Sequence, residues 1–389
     1  MKTDFDWVID RRGSGCFRYD ALKLLYGRDD LISLWVADMD FEVAPAVREA
    51  LQKRLDHGVF GYNFRLPVFY EVLANWVQRR YGYKIHTDWI LTSPGVMPAV
   101  NLAVTLFTQP GDGVLIQTPV YKPFFDAVNT QGRRLLTNPL RGNDGSYSID
   151  FEDFEAKLRQ SKLFIFCNPH NPIGQLWPEE DLLQLGRLCR RYQVPIVSDE
   201  IHADIVYDGA KAISIAALED FADNTIACVS PAKSFNLAGL ASAAVIVKNP
   251  VLRQSLGGII QNLHLHIGNS FGIEAMIAAY RDSDAWLSDL VEYLQANRDF
   301  LTDFLARVLP QLKMRKPDST YLAWIDFSAL GLDDDALMSW LVNGPRLALD
   351  PGPKFGTAGS GFQRLNFAVP RSVLKEALER LKQAIDKDF

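Results

Sequence analysis

Short apolar runs separated by stretches of helical periodicity mark the middle of the chain. Val114-Leu115-Ile116-Gln117, Leu163-Phe164-Ile165-Phe166, Val194 to Val197, Thr225 to Val229 and Ala243 to Val247 each read as a buried strand. Strands apolar on both faces, alternating with helices, predict a mostly parallel sheet covered on both sides. One of those helices opens at Pro178-Glu179-Glu180-Asp181, where a proline and three acids suit a first turn. Leu182, Leu185, Cys189 and Tyr192 then recur at helical spacing, and Arg190 and Arg191 fall in the last turn. Another helix is predicted over Pro98 to Phe107. At the far end, Leu374, Leu378, Leu381 and Ile385 form the stripe of a helix that begins after Pro370, with Ser372 as its expected cap.

The pattern changes after about residue 285. A long helical stretch from Asp284 to Leu309 is followed by strand-like runs at Ser319 to Asp326 and Phe362 to Phe367. These predict a smaller α+β unit. Residues 1–44 are assigned to it, because the helical pattern of the larger unit starts only near Pro45. The expected division is a large domain over 45–285 and a small domain made of 1–44 and 286–389.

Composition narrows the function. The 389 residues are 48% apolar and 23% charged, as in a globular protein with a sizeable core. A net charge of −6 and a pI near 5.6 lack the basic footprint of a nucleic-acid partner. No apolar run reaches the length of a membrane span. The start, Met1 to Asp6, lacks the apolar stretch of a secretory signal, so a cytoplasmic protein is expected. Four cysteines form no Cys-x-x-Cys pair, and Cys167 and Cys228 read as buried thiols. His264 and His266 have no acidic or cysteine ligand beside them, so no metal site is expected. Gly13-Ser14-Gly15 is no dinucleotide loop.

Chemistry concentrates in three runs, each just after a predicted strand. Asn168-Pro169-His170-Asn171-Pro172-Ile173-Gly174 is a sharp turn in which a cis bond before one of the prolines is expected. Val197-Ser198-Asp199-Glu200-Ile201-His202 ends a strand in a carboxylate. Ser230-Pro231-Ala232-Lys233-Ser234-Phe235-Asn236 carries a lysine. An amide, an acid and a lysine beyond strand ends suit a pyridoxal cofactor. Lys233 would form the Schiff base and, with its pKa pulled down by the site, take the substrate α-proton. Asp199 would hold the pyridine nitrogen protonated, and Asn171 would donate to the ring oxygen. His202 would reach that oxygen or back up Asp199. Tyr121 follows another strand and would stack on the ring. Gly95 lets the backbone approach a phosphate, with Val96 and Met97 at a helix start, and the Ser230 hydroxyl is a further donor. Arg364, in a strand-like run after the glycine-rich stretch Gly356 to Gly361, suits a substrate carboxylate.

Together these residues resemble the fold-type I pyridoxal-phosphate enzymes of the class I/II aminotransferase superfamily, over nearly the whole chain. A closer likeness is to the MalY/PatB group of cystathionine β-lyases, carried by Val8 to Gly13, Trp35 to Phe41, His57 to Tyr62, Ser198 to His202, Ser234 to Asn236 and Ser319 to Trp324. The resemblance implies an α/β fold with a mostly parallel seven-stranded sheet between helices, and a homodimer with active sites near the interface. It implies pyridoxal 5'-phosphate as cofactor and Lys233, Asp199 and Tyr121 as catalytic residues. Tyr62 would reach the phosphate of the partner subunit, and Ala37, Tyr121 and Asn171 would lie beside the amino-acid substrate. Many aminotransferases of the superfamily carry an arginine at the position of Ala241, and its loss here favours a lyase. The implied reaction is α,β-elimination on cystathionine or a related cysteine S-conjugate, giving a thiol, pyruvate and ammonia. An aminotransferase is the first alternative; a regulatory protein that binds a protein partner and keeps lyase activity is the second.

Overall fold

A computed structural model describes residues 3–143, 146–218 and 221–389. Seven strands build the main sheet: β1 (Ile90–Ser93), β2 (Gly113–Thr118), β3 (Arg134–Pro139), β4 (Ser161–Cys167), β5 (Ile196–Asp199), β6 (Thr225–Val229) and β7 (Ala243–Val247). Their order across the sheet is β1-β7-β6-β5-β4-β2-β3. Six run in one direction and β7 runs against them. The central strands are buried along their length, as expected of strands covered by helices on both faces. Because six strands share a direction, the segments leaving β1, β2, β4, β5 and β6 all emerge at one edge, and the segment entering β7 meets them there.

A second sheet has four strands in the order β8-β9-β11-β10: β8 (Lys313–Met314), β9 (Leu322–Asp326), β10 (Asp350–Pro351) and β11 (Phe362–Asn366). All its pairings are antiparallel. Ile32–Ser33 pairs in parallel with Leu347–Ala348, tying the N-terminal region to this part of the chain. Helices flank the sheets, among them α1 (Val96–Phe107), α2 (Lys122–Asn129), α3 (Glu179–Arg191), α4 (Pro231–Ser234), α5 (Asp284–Val308) and α6 (Arg371–Asp388). One hydrophobic cluster runs from Phe5 through Trp76 and Phe235 to Leu381, so the two sheets share a core.

Several predicted boundaries move, each for a local reason. The strand expected at Val194 to Val197 begins at Ile196 instead. Val194 donates its N–H to the Cys189 carbonyl and so closes α3, and Pro195 has no N–H for a ladder. The strand expected from Ser319 starts at Leu322, because Thr320 takes a left-handed φ of 65° and its N–H bonds to Ile205. α1 starts two residues before Pro98, which places the proline in the first turn, where its missing N–H costs nothing. Ser372 does not cap α6: Pro370 holds the cap position and no side chain caps there. Cys167 and Cys228 are buried, as expected. His264 and His266 tilt toward each other with centroids 6.0 Å apart.

Gly359, in the glycine-rich stretch before Arg364, and Gly352 just ahead of it owe their place to a close backbone approach. Gly352 and Gly359 face each other so tightly that a methyl group on either would run into the other's carbonyl. Gly359→Ala is therefore expected to lower unfolding free energy by about 1–3 kcal/mol through overpacking. Urea denaturation checks this; an unchanged midpoint would mean the loop gives way freely.

Candidate active site

The strand ends at the shared edge surround a cavity of about 570 Å³. Its lining includes Gly95, Val96 and Met97 after β1, Tyr121 after β2, and Cys167 and Asn171 at and beyond the end of β4. Asp199 and His202 come from β5 and beyond, and Ser230 and Lys233 from beyond β6. Ala241 and Ser242 precede β7, while Ala37 and Arg364 close the cavity from the other side. Of the residues picked out from the sequence, Tyr62 alone lies elsewhere: it is 96% exposed in the loop after residue 57.

Each side chain is held by its local structure. Lys233 sits in the short helix α4, whose cap, Ser230, accepts the Ala232 N–H at 3.1 Å. Two residues on, Phe235 is fully buried and stacks on Trp286, anchoring the turn in the core. The Lys233 Nζ donates to the Ala37 carbonyl at 2.6 Å. Burial pulls its pKa down to about 8, helped by Arg364 and opposed by Asp38 and Asp199. Asp199 is buried, and burial pushes its carboxyl up to about 6, against the hydrogen bond it accepts from the Ile201 N–H at 3.1 Å. His202 is held well below the usual imidazole range by burial, then by Lys233 and Arg364. Its Nδ1 is buried with no partner, and it makes no hydrogen bond to Asp199 among those found in the described residues.

The asparagine–proline turn carries two cis bonds, before Pro169 and before Pro172, where one was expected; a third precedes Pro119. His170, unremarked in the sequence, is buried between these turns with its Nε2 2.7 Å from the Pro119 carbonyl. Asn171 Oδ1 accepts from Arg364 Nη1 at 3.0 Å, which leaves its NH₂ group for the cavity. Arg364 is buried and also donates through Nη2 to the Trp35 carbonyl at 3.0 Å and to Asp350 at 2.7 Å. Its guanidinium lies 4.9 Å from the centroid of the Phe355 ring. Sequence reasoning missed Asp350. The available signal was an acid and an arginine flanking a turn-rich stretch, which can face each other across a hairpin, as Asp350 and Arg364 do.

At the opposite end, Val96 and Met97 occupy the first turn of α1, where backbone N–H groups lack intrahelical acceptors and no side chain caps them. The Ser230 hydroxyl donates to the Ser242 carbonyl at 2.7 Å, so it must turn to serve any other acceptor. Ala241 takes a left-handed conformation with φ 46° and presents no charge. The cations lining the cavity are Lys122, Lys233, Lys354 and Arg364. Lys122 is paired with Asp126, and Lys354 with Asp350.

This donor set fits a phosphorylated pyridine aldehyde. The amine answers the aldehyde, the buried carboxyl a ring nitrogen, and the amide and orphan imidazole nitrogen a ring oxygen. The uncapped helix start answers a phosphate.

Fold and site define a class. A family model for the class I and II aminotransferases matches residues 29–381, and the chain belongs to that family. Within it, the chain is 43% identical over 98% of its length to all of the cystathionine β-lyase PatB of Bacillus subtilis. Cystalysin from Treponema denticola, a structure containing pyridoxal 5'-phosphate, superimposes with a TM-score of 0.96 at 34% identity, covering 99% of both chains. A pyridoxal-phosphate-bound C–S lyase from Staphylococcus hominis gives 0.93 at 33%, covering 99% of this chain and 98% of that one. The donor set of this cavity fits the cofactor that those two structures hold.

A lysine held at about 8 is neutral in about a tenth of molecules at pH 7, against on the order of one in a few thousand for an ordinary lysine. Condensation needs the neutral amine, so uptake of pyridoxal phosphate by cofactor-free protein is expected to quicken as pH rises, with a midpoint near pH 8, and to level off above about 9. Stopped-flow absorbance across pH 6.5–10 checks it; a rate still climbing between pH 9 and 10 would mean an unperturbed amine.

Proposed function

We infer that this chain is a pyridoxal-phosphate-dependent carbon–sulfur β-lyase that cleaves cystathionine or a related cysteine S-conjugate. One observation carries the reading. A single cavity holds a half-buried lysine, a buried strand-end carboxyl and an arginine suited to a carboxylate, in a chain closely related over its full length to a named cystathionine β-lyase.

Bound pyridoxal phosphate supplies a ring that withdraws electrons from the substrate α-carbon. Arg364 binds the substrate carboxylate, with its plane set by Asn171, the Trp35 carbonyl and Asp350. Asp199 would keep a proton on the ring nitrogen, and the Asn171 amide and His202 would serve the ring oxygen. Tyr121 would stack on the ring; the Val96 and Met97 amides, with Gly95 beside them and the Ser230 hydroxyl, would bind the phosphate. The neutral Lys233 amine takes the α-proton, and the β-carbon–sulfur bond breaks as thiolate leaves and is protonated. The remaining enamine takes up water and gives pyruvate and ammonia. General base help of this kind is worth roughly 10²–10⁴-fold.

Incubation with cystathionine is expected to yield a thiol, pyruvate and ammonia in equal amounts, and Lys233→Ala to abolish all three. Pyruvate formed by that variant would remove the lysine from its role. A new amino acid formed on adding a keto acid, without thiol release, would favour an aminotransferase.

The proposal extends to the assembly. The loop after residue 57 exposes Tyr62 at 96% and Phe64 at 82%, although no aromatic group from this loop lines the chain's own cavity. A second copy covers this loop, and Tyr62 reaches that copy's phosphate. The same reading keeps a large domain over 45–285, a small one made of 1–44 and 286–389, and a cytoplasmic home. The separate ranges of the two sheets support the division. No helix among the described residues is long and apolar enough to cross a membrane. Light scattering is expected to give twice the chain mass, and Tyr62→Phe to weaken cofactor retention on dilution by about tenfold, the loss of a hydrogen bond to a charged group. A monomer that retains cofactor would sink the arrangement.

A further inference from the structure

The segment Trp35 to Asp38 belongs to neither a helix nor a strand. Its carbonyls have no ladder partners, and buried carbonyls without partners are costly. Side chains from distant elements take them all. Arg364 Nη2 donates to the Trp35 carbonyl at 3.0 Å. Asn366 Nδ2 donates to the Val36 and Asp38 carbonyls at 2.5 and 2.6 Å. The Tyr321 hydroxyl donates to the Ala37 carbonyl at 2.9 Å, and that oxygen also accepts from Lys233 Nζ at 2.6 Å. The fully buried Arg18 adds a bond to the Asp38 carbonyl at 3.0 Å.

Two neighbouring carbonyl positions thus hold the two groups that the proposed reaction must keep in register. The Trp35 carbonyl touches the arginine of the carboxylate site, and the Ala37 carbonyl touches the amine. Arg364 and Asn366, two residues apart, lie on one face of β11. Leu322 pairs directly with Asn366 and the Phe367 N–H bonds to the Tyr321 carbonyl, so β9 and β11 present Tyr321, Arg364 and Asn366 as one unit. Tyr321 and Asn366 are fully buried. Tyr321 is too rigidly placed to be a solvated surface group, and its hydroxyl has the Ala37 carbonyl as its acceptor.

We propose that Trp35–Asp38 is a backbone template that sets the Lys233 amine relative to Arg364, and that Tyr321 is a positioning residue acting through the Ala37 carbonyl. A free lysine side chain has four rotatable bonds, and a misplacement of about 1 Å in a reacting group can cost about 10²-fold in rate. A fixed acceptor removes most of that freedom once the amine is released from the cofactor. Tyr321 makes no hydrogen bond to Arg364 or Asn171 among those of the described residues, and its ring, which packs edge-on against His202, stays in place when the hydroxyl is removed. Its effect should therefore fall more on proton transfer than on carboxylate binding. The inference rests on the assignment of Lys233 as the cofactor lysine and α-proton acceptor.

The test is Tyr321→Phe, which keeps the buried ring and removes one oxygen. We expect kcat to fall about tenfold with KM within about twofold, and the isotope effect of an α-deuterated substrate on kcat to rise. In cofactor-free protein, the pH midpoint for acylation of Lys233, read by mass spectrometry, should fall by about half a unit, because the carbonyl that accepts from the ammonium is no longer held in place. A melting midpoint close to the parent's confirms the fold. If kcat and the labelling midpoint both stay at parental values, or KM rises as much as kcat falls, the template is overturned. Failure of the underlying reading looks different: borohydride reduction of the parent protein loaded with pyridoxal phosphate would then leave the peptide containing Lys233 unmodified.

Discussion

Keeping an amine out of water beside a guanidinium is costly, and much of the structure serves to hold that arrangement. Burial and Arg364 both disfavour the charged form of Lys233, while Asp38 and Asp199 partly restore it. The outcome is a lysine poised between a nucleophile and an ammonium near neutral pH. A solvated lysine could not do this, and a fully apolar pocket would leave no acceptor for the ammonium. Arg364 has the same need for compensation, met by Asp350, Asn171 and the Trp35 carbonyl.

Strand direction makes this cluster attainable. With six strands of the main sheet aligned, groups more than 130 residues apart in the chain, from Gly95 to Lys233, arrive at one edge without long loops. The antiparallel sheet then brings Arg364 and Asp350 from the other side. The buried aromatic cluster around Phe235, Trp286, Tyr280 and Trp76 lies directly beneath the lysine turn, so packing energy in the core holds the reactive end of the side chain.

The missing arginine at Ala241 gives the phosphate end a different electrostatic character from the carboxylate end. Among the described residues lining the cavity, Lys122 is paired with Asp126, and Lys354 and Arg364 with Asp350. A phosphate at the uncapped start of α1 would rely on backbone amides, hydroxyls and Lys233, with weaker charge neutralisation than an ion pair provides.

Local chemistry was legible from residue types. Apolar runs ending in Asp199, in the asparagine–proline turn and before Lys233 marked the strands, and the shared position after a strand marked the site. Arg364 was picked out because a planar guanidinium matches a carboxylate bidentately, and the structure places it on the cavity. The boundaries at Val194, Ser319 and Ser372 were not, because helix closure, a left-handed residue and a proline cap overrode local propensity. Nor was the pairing of Asp350 with Arg364, nor the grip of Tyr321 and Asn366 on the carbonyls of 35–38. Sequence alone determined which elements form and which groups could carry chemistry, since periodicity and side-chain type are properties of neighbouring residues. Tertiary structure alone decided which of those groups meet, and which are stripped of water. Hydrogen bonding and desolvation act across space, between segments whose separation along the chain reveals nothing of their distance.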